Sequence, residues 1–194
     1  MALPENTPGI TRVESLFTYH IFGYPAELQK WQSDVASYSL EVGGLVGSAR
    51  RFSLTQITGD FDAVEDEVIL QCMTNIHWGR VRVRGARISD VLNAVGTDKG
   101  AVKVALRGAE GFTTDLFLEE IVGDADRFLL VYEMNGRPLS AQHGFPIRSS
   151  ASGKYGFKWC KWLVAMEVVD YDYKGHYEGR RGWSDKAVRG RPVQ

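Results

Sequence analysis

Apolar positions along the chain recur mostly with a period of two, the spacing of a strand with one buried face. Short stretches of helical spacing lie between them. Residues 37–46 read as a strand that ends at Gly43-Gly44. Residues 68–72, VILQC, form a short apolar strand with Cys72 at its exit. The clean alternation of Arg80-Val81-Arg82-Val83-Arg84 suits a half-exposed strand or an extended arm. Residues 102–106 and 117–121 are further strand candidates, and 162–169 is the last. Residues 128–134 run into Asn135-Gly136, a tight-turn signal because both residues tolerate positive φ. Ser89 can cap a helix running to about Val95, with Asp90 well placed for the helix dipole. Residues 26–35 and 53–58 are also helical. The pattern predicts one domain over residues 1–194, an α+β fold that is rich in β structure with short helices at its periphery.

Charge changes this picture in one place. Between Glu133 and Glu167 every charged residue is basic: Arg137, Arg148, Lys154, Lys158 and Lys161, with His143 beside them. Gly144, Gly153 and Gly156 in the same stretch allow a ligand close to backbone N–H groups. Phe145, Tyr155, Phe157, Trp159 and Trp162 are interleaved. The combination suits a ligand with both a phosphate and a flat ring. A solvated basic loop beside a strand accounts for the charges equally well. Nucleic acid is the weaker reading, since the net charge is -1 and no matching basic stripe occurs elsewhere.

Composition excludes other classes. With 194 residues, 44% of them hydrophobic, the chain can build a core without disulfide or metal staples. Two cysteines, Cys72 and Cys160, are too few for a disulfide framework. Residues 1–17 show no basic region followed by an apolar core, and no apolar stretch approaches the length of a membrane span. The expectation is a cytoplasmic protein without stable membrane insertion, or a periplasmic one if its N-terminus is processed.

Three blocks give the chain a family resemblance: Leu70-Gln71-Cys72-Met73-Thr74-Asn75; Tyr132-Glu133-Met134-Asn135-Gly136-Arg137-Pro138-Leu139 with His143-Gly144-Phe145-Pro146-Ile147-Arg148; and Lys154-Tyr155-Gly156-Phe157-Lys158-Trp159-Cys160-Lys161-Trp162-Leu163. In order and spacing they resemble the molybdopterin-binding domain shared by sulfite oxidases, eukaryotic nitrate reductases and bacterial methionine-sulfoxide reductases. The resemblance runs from about Leu16 to Trp183. It implies a β-rich sulfite-oxidase-type fold, a molybdenum–molybdopterin cofactor, and Cys72 as the thiolate ligand of the metal. A soft thiolate suits a transition metal already held by two cofactor sulfurs. The resemblance also implies that His143, Arg148, Trp159, Cys160 and Lys161 contact the cofactor, with the Cys160 thiol structural. Lys158 either helps to neutralise the phosphate or is simply solvated.

Departures bear on the substrate. Sulfite oxidases carry Arg-Asn-His after an aromatic and a threonine, whereas this chain reads Phe17-Thr18-Tyr19-His20-Ile21. Tyr19 stands where the resemblance implies a sulfite-gripping arginine, and His20 is a weaker anion ligand when neutral. All five of these residues are expected to line the cofactor. The resemblance puts a hydroxyl or carboxylate near the cofactor at about Gly108 or Glu110. The active-site tyrosine of sulfite oxidases is either missing here or replaced by Trp183. Tyr19, His20 and Trp183 should therefore shape the substrate side, next to Cys72.

The implied activity is oxygen-atom transfer to or from a small molecule, reset by a separate redox partner, a cytochrome or another electron carrier. The alternative is a degenerate module that binds molybdopterin without turnover. The sequence leaves oligomeric state open.

Overall fold

The computed structural model describes residues 9–194. The reading of residues 1–17 as lacking an export signal thus falls partly outside the described residues. Fifteen elements follow in order: α1 (Leu28–Ser33), β1 (Ser39–Gly44), β2 (Arg50–Ser53), α2 (Leu54–Gly59), β3 (Ala63–Gln71), β4 (Trp78–Arg87), α3 (Ile88–Val95), β5 (Lys103–Gly108), β6 (Thr113–Phe117), α4 (Leu118–Gly123), β7 (Phe128–Met134), β8 (Arg137–Pro138), β9 (Arg148–Ala151), β10 (Leu163–Val169) and α5 (His176–Arg181). Short 3-10 turns link several of them.

The strands form two sheets. One has the order β2-β1-β10-β5-β6, antiparallel except for the parallel pair of β1 with β10. The other runs β3-β4-β7-β8, with β9 also pairing with β7. One apolar cluster joins them, including Leu40, Val42, Val81, Val83, Leu106, Leu130 and Trp162. Among the described residues no helix is long and apolar enough to cross a membrane.

Periodicity located most of these elements, and the differences have physical causes. Val81 and Val83 are fully buried, so the alternating arginine stretch is strand β4. Its partner β3 begins at Ala63, five residues before the apolar run at Val68. That first half is held by cross-strand pairs, Arg82 to Glu67 at 2.8 Å and Arg84 to Glu65 at 3.3 Å. Residues 117–121 are not a strand. β6 stops at Phe117 and α4 begins, burying Ile121 while placing Glu119 and Glu120 in the first turn, where the helix dipole favours them. Ser89 does not cap α3. Arg87 is the N-cap residue, without a side-chain cap bond, because β4 runs straight into the helix and Ile88 is already buried. Ser53 does cap α2, in a reciprocal capping box with Gln56.

Two turns match their signals. Asn135 and Gly136 have φ of 52° and 73° and close the β7–β8 hairpin. Gly44 ends β1 at φ +83°, where a Cβ would lie 2.2 Å from the Val168 carbonyl oxygen of β10.

Candidate active site

A cavity of about 300 Å³ opens where the end of β3, the segment before α1, the loops flanking β9 and helix α5 converge. Cys72 follows the last residue of β3 and lines this cavity as a free, partly buried thiol. Its N–H donates to the His77 carbonyl at 2.8 Å, and its own carbonyl accepts from Asn75 N–H at 3.0 Å. Asn75 adopts φ 63°, and its side chain accepts from Gln71 Nε2 at 2.8 Å and from the Tyr155 hydroxyl at 3.2 Å. The turn that presents the sulfur is therefore fixed from two sides.

Arg148, the first residue of β9, is buried on the cavity wall. Its guanidinium donates to the carbonyls of His143 and Trp159, both at 3.2 Å, while Nε has no partner. Among the described residues no carboxylate lies within 4.0 Å of it. Burial alone pulls its pKa down to about 10.

Two further bases join it. Lys161 donates to the Tyr19 carbonyl at 2.6 Å and the Gln142 carbonyl at 3.3 Å. Burial, then Arg148, lowers its pKa to about 7. His143 Nε2 meets the Val13 carbonyl at 3.1 Å, which places the ring proton on that nitrogen. Burial and Arg148 lower its pKa to about 4, so it is a neutral ring at physiological pH. Among the described residues the one acid on the wall, Glu110, is pushed up to about 7 by burial, against a backbone hydrogen bond and the pull of Lys161, and its Oε2 has no partner. Uncompensated buried positive charge is costly, so this corner of the cavity favours an anion.

The aromatic side faces Cys72. Tyr19 shares a 2.9 Å hydrogen bond with His77 Nδ1. Tyr177 of α5 stacks on Trp183, with centroids 4.2 Å apart and planes at 8°. Burial and then Cys72 push both phenols, Tyr19 and Tyr177, above their ordinary range, so both keep their protons at neutral pH.

Of the residues singled out from sequence, Phe17, Thr18, Tyr19 and Ile21 line the cavity with Cys72. His143, Arg148, Trp159, Lys161 and Trp183 complete the set that reaches it. Three do not. The His20 ring turns aside onto Tyr24 and Trp162, at 4.5 and 5.4 Å, with Nε2 on the Gln142 carbonyl at 3.2 Å. The Cys160 thiol is fully buried and held protonated by that burial, while its N–H donates to Ser149 Oγ at 2.7 Å. Lys158 is neither solvated nor aimed at a phosphate. Its ammonium is buried between Asp115 Oδ1 at 3.0 Å and Glu178 Oε1 at 2.5 Å, both carboxylates fully buried. That pairing ties the turn carrying Phe157 to helix α5.

Tyr177 and Phe112 were not foreseen. Tyr177 lies in the C-terminal stretch that the resemblance covers, and the topology brings it and Phe112 to the cavity from distant parts of the chain. Trp183, expected on the substrate side, reaches the cavity with its ring stacked on Tyr177 of α5.

The residues fit a molybdopterin-type group. Among the described residues no cluster of three or more His, Cys, Asp or Glu could hold a metal. A single thiolate is an incomplete metal site, so it matches a metal that arrives with sulfur ligands of its own. The unpaired guanidinium matches a phosphate in the same cavity.

Comparison with known proteins agrees. The chain is 31% identical over 166 residues to the "Uncharacterized oxidoreductase YuiH" of Bacillus subtilis (strain 168), covering 84% of this chain and 79% of that protein. It is 30% identical over 188 residues to the "Nitrate reductase [NADH]" of Spinacia oleracea, covering 81% of this chain but 20% of that much longer protein. The sulfane dehydrogenase SoxCD from Paracoccus pantotrophus shares the fold, with a TM-score of 0.67 at 19% identity over 79% of this chain and 42% of that one. The architecture is thus of the sulfite-oxidase type. Residues 27–177 match the family model of the oxidoreductase molybdopterin binding domain, and the chain belongs to that family, as an oxidoreductase that takes the molybdenum cofactor.

Proposed function

We propose that the protein transfers an oxygen atom to or from a small substrate, with Cys72 as the one protein ligand of molybdenum. The observation that carries this reading is the sharing of one cavity by a partly buried free thiol and a buried guanidinium that lacks a carboxylate partner. Arg148 and Lys161 would bind the cofactor's phosphate, the first as a fork and the second as a point charge. Neutral His143 and the indole of Trp159 would flank it. When bound, the cofactor supplies the two-electron oxygen-atom chemistry.

The remaining wall would act on the substrate. The protonated phenols of Tyr19 and Tyr177 can donate hydrogen bonds to an oxygen near the sulfur of Cys72. The aromatic rings of Phe17, Phe157 and Trp183 would exclude water there. Tyr19 in place of a permanent cation disfavours a small oxyanion such as sulfite. A separate electron carrier would return the site to its starting state.

Cys72→Ala tests the reading. The variant should keep its fold and pterin but lose all turnover in a screen of oxygen-atom donors and acceptors that the wild type passes. Full redox activity in the alanine variant would refute the ligand assignment. A wild type that binds the cofactor and turns over nothing would favour a non-catalytic binding module.

A further inference from the structure

The C-terminal segment, residues 172–194, carries charge in an uneven way. Its three acidic side chains are all tied to lysines: Asp172 and Asp185 to Lys103 and Lys174, and Glu178 to Lys158. Arg180, Arg181, Lys186, Arg189 and Arg191 have no carboxylate within 4.0 Å among the described residues. The segment is therefore positive toward solvent although the whole chain has a net charge of -1.

Four of these cations, Arg180, Arg181, Arg189 and Arg191, lie on segments that pack against elements bordering the cavity. Arg180 and Arg181 are exposed at the end of α5, the helix whose Tyr177 lines the cavity. On the other side, Arg189 donates to the Ile69 carbonyl of β3, two residues from Gln71, the strand's last residue. The Arg191 carbonyl accepts from the Tyr155 hydroxyl, which also reaches Asn75 in the Cys72 turn. Apolar side chains are exposed on the neighbouring segments. Tyr19, Ile21, Phe22 and Tyr24 are each 42–50% exposed, and Ile76 beside Cys72 is 74% exposed. Phe22 packs edge-on against His176 of α5, at 5.0 Å, which joins the aromatic strip to the basic helix. Exposed aromatics beside arginines that lack carboxylate partners are the make-up of an interface.

We propose that this face docks an acidic protein that carries single electrons to or from the metal, an inference that rests on the molybdenum reading above. The charge of the rim selects the partner: opposite charge steers a short-lived redox encounter, and the aromatic strip supplies the contact. The position selects its role, because Tyr19 and Ile21 of this face line the same cavity as Cys72.

The test uses the cofactor-loaded protein and a reduced acidic ferredoxin as the probe. The second-order rate at which ferredoxin reduces the oxidised enzyme should fall about tenfold between low and high salt. Arg180→Glu with Arg181→Glu should slow it about tenfold at low salt, and Phe22→Ser several-fold, while the rate with the small methyl viologen radical, a cation, does not fall. A ferredoxin rate insensitive to salt and to the charge reversal would overturn the proposal. So would equal slowing with viologen, which would locate the defect in the cavity. Co-sedimentation with anionic phospholipid vesicles, without ferredoxin binding, would overturn it in favour of a membrane surface. If the protein from a cofactor-competent host holds no molybdenum, the functional reading fails by itself. Ferredoxin binding by thermophoresis, with the same variants, still decides the surface.

Discussion

Replacing Arg148 with methionine separates the cost of holding a guanidinium from its use. In the cofactor-free protein, burial lowers the guanidinium pKa from 12.5 to about 10. At about 1.4 kcal/mol per unit, keeping it charged costs on the order of 3 kcal/mol of folding stability. Folding depresses this cation's pKa, so the cost is fully present below about pH 10 and fades as pH rises toward the unfolded value. Methionine removes that cost and fills similar volume. It also strips donors from the His143 and Trp159 carbonyls, which costs about 1–3 kcal/mol. The two nearly cancel, so cofactor-free Arg148→Met should unfold within about 2 kcal/mol of the wild type. At about 2–4 °C per kcal/mol for a chain of this size, Tm should move by less than about 8 °C. Cofactor binding has no such compensation. Loss of a charge-assisted fork to phosphate, about 3 kcal/mol, should speed pterin release about a hundredfold. Urea unfolding of protein from a cofactor-deficient host gives the first quantity, and fluorescence of released, oxidised pterin gives the second. A cofactor-free variant destabilised by much more than 3 kcal/mol, or a loaded variant that keeps pterin like the wild type, would refute the reasoning.

Other outcomes follow from the same geometry. Lys158→Met leaves Glu178 and Asp115 short of a cation in the interior, so it should cost about 3–5 kcal/mol in urea unfolding. Loss of pterin with stability unchanged would instead return Lys158 to the phosphate. Binding of inorganic pyrophosphate to the cofactor-free protein should weaken as pH rises from 6 to 9. Lys161, lowered to about 7, loses its charge through that window, and Glu110, raised to about 7, gains one, so both changes disfavour the anion. Calorimetry showing a flat profile would contradict both positions. Gly44→Ala should cost about 2 kcal/mol or more, since a Cβ at that positive φ meets the Val168 carbonyl, and a neutral thermal shift would argue against the β1–β10 register.

Much of the fold was legible because burial imposes alternation: Val81 and Val83 announce β4, and Asn135-Gly136 announces its hairpin. The first half of β3 was hidden because its exposed face carries Glu65 and Glu67, whose arginine partners lie on the next strand. Residues 117–121 misled because Ile121 packs inward from a helix as readily as from a strand. At the site, Cys72, His143, Arg148 and Lys161 lie in the blocks that carry the family resemblance, and the fold brings all four to one cavity. Lys158 shares their basic stretch, but a charge run does not reveal that Asp115 and Glu178 fold against one of its members. Tyr177 reaches the cavity through the packing of α5, a long-range contact that its C-terminal position does not reveal.

X-ray absorption at the molybdenum edge tests the thiolate bond most directly. The loaded wild type should show one more sulfur scatterer around the metal than loaded Cys72→Ala, with the cofactor's own sulfurs unchanged. Equal sulfur counts in the two proteins would mean that residue 72 lines the cavity without binding the metal.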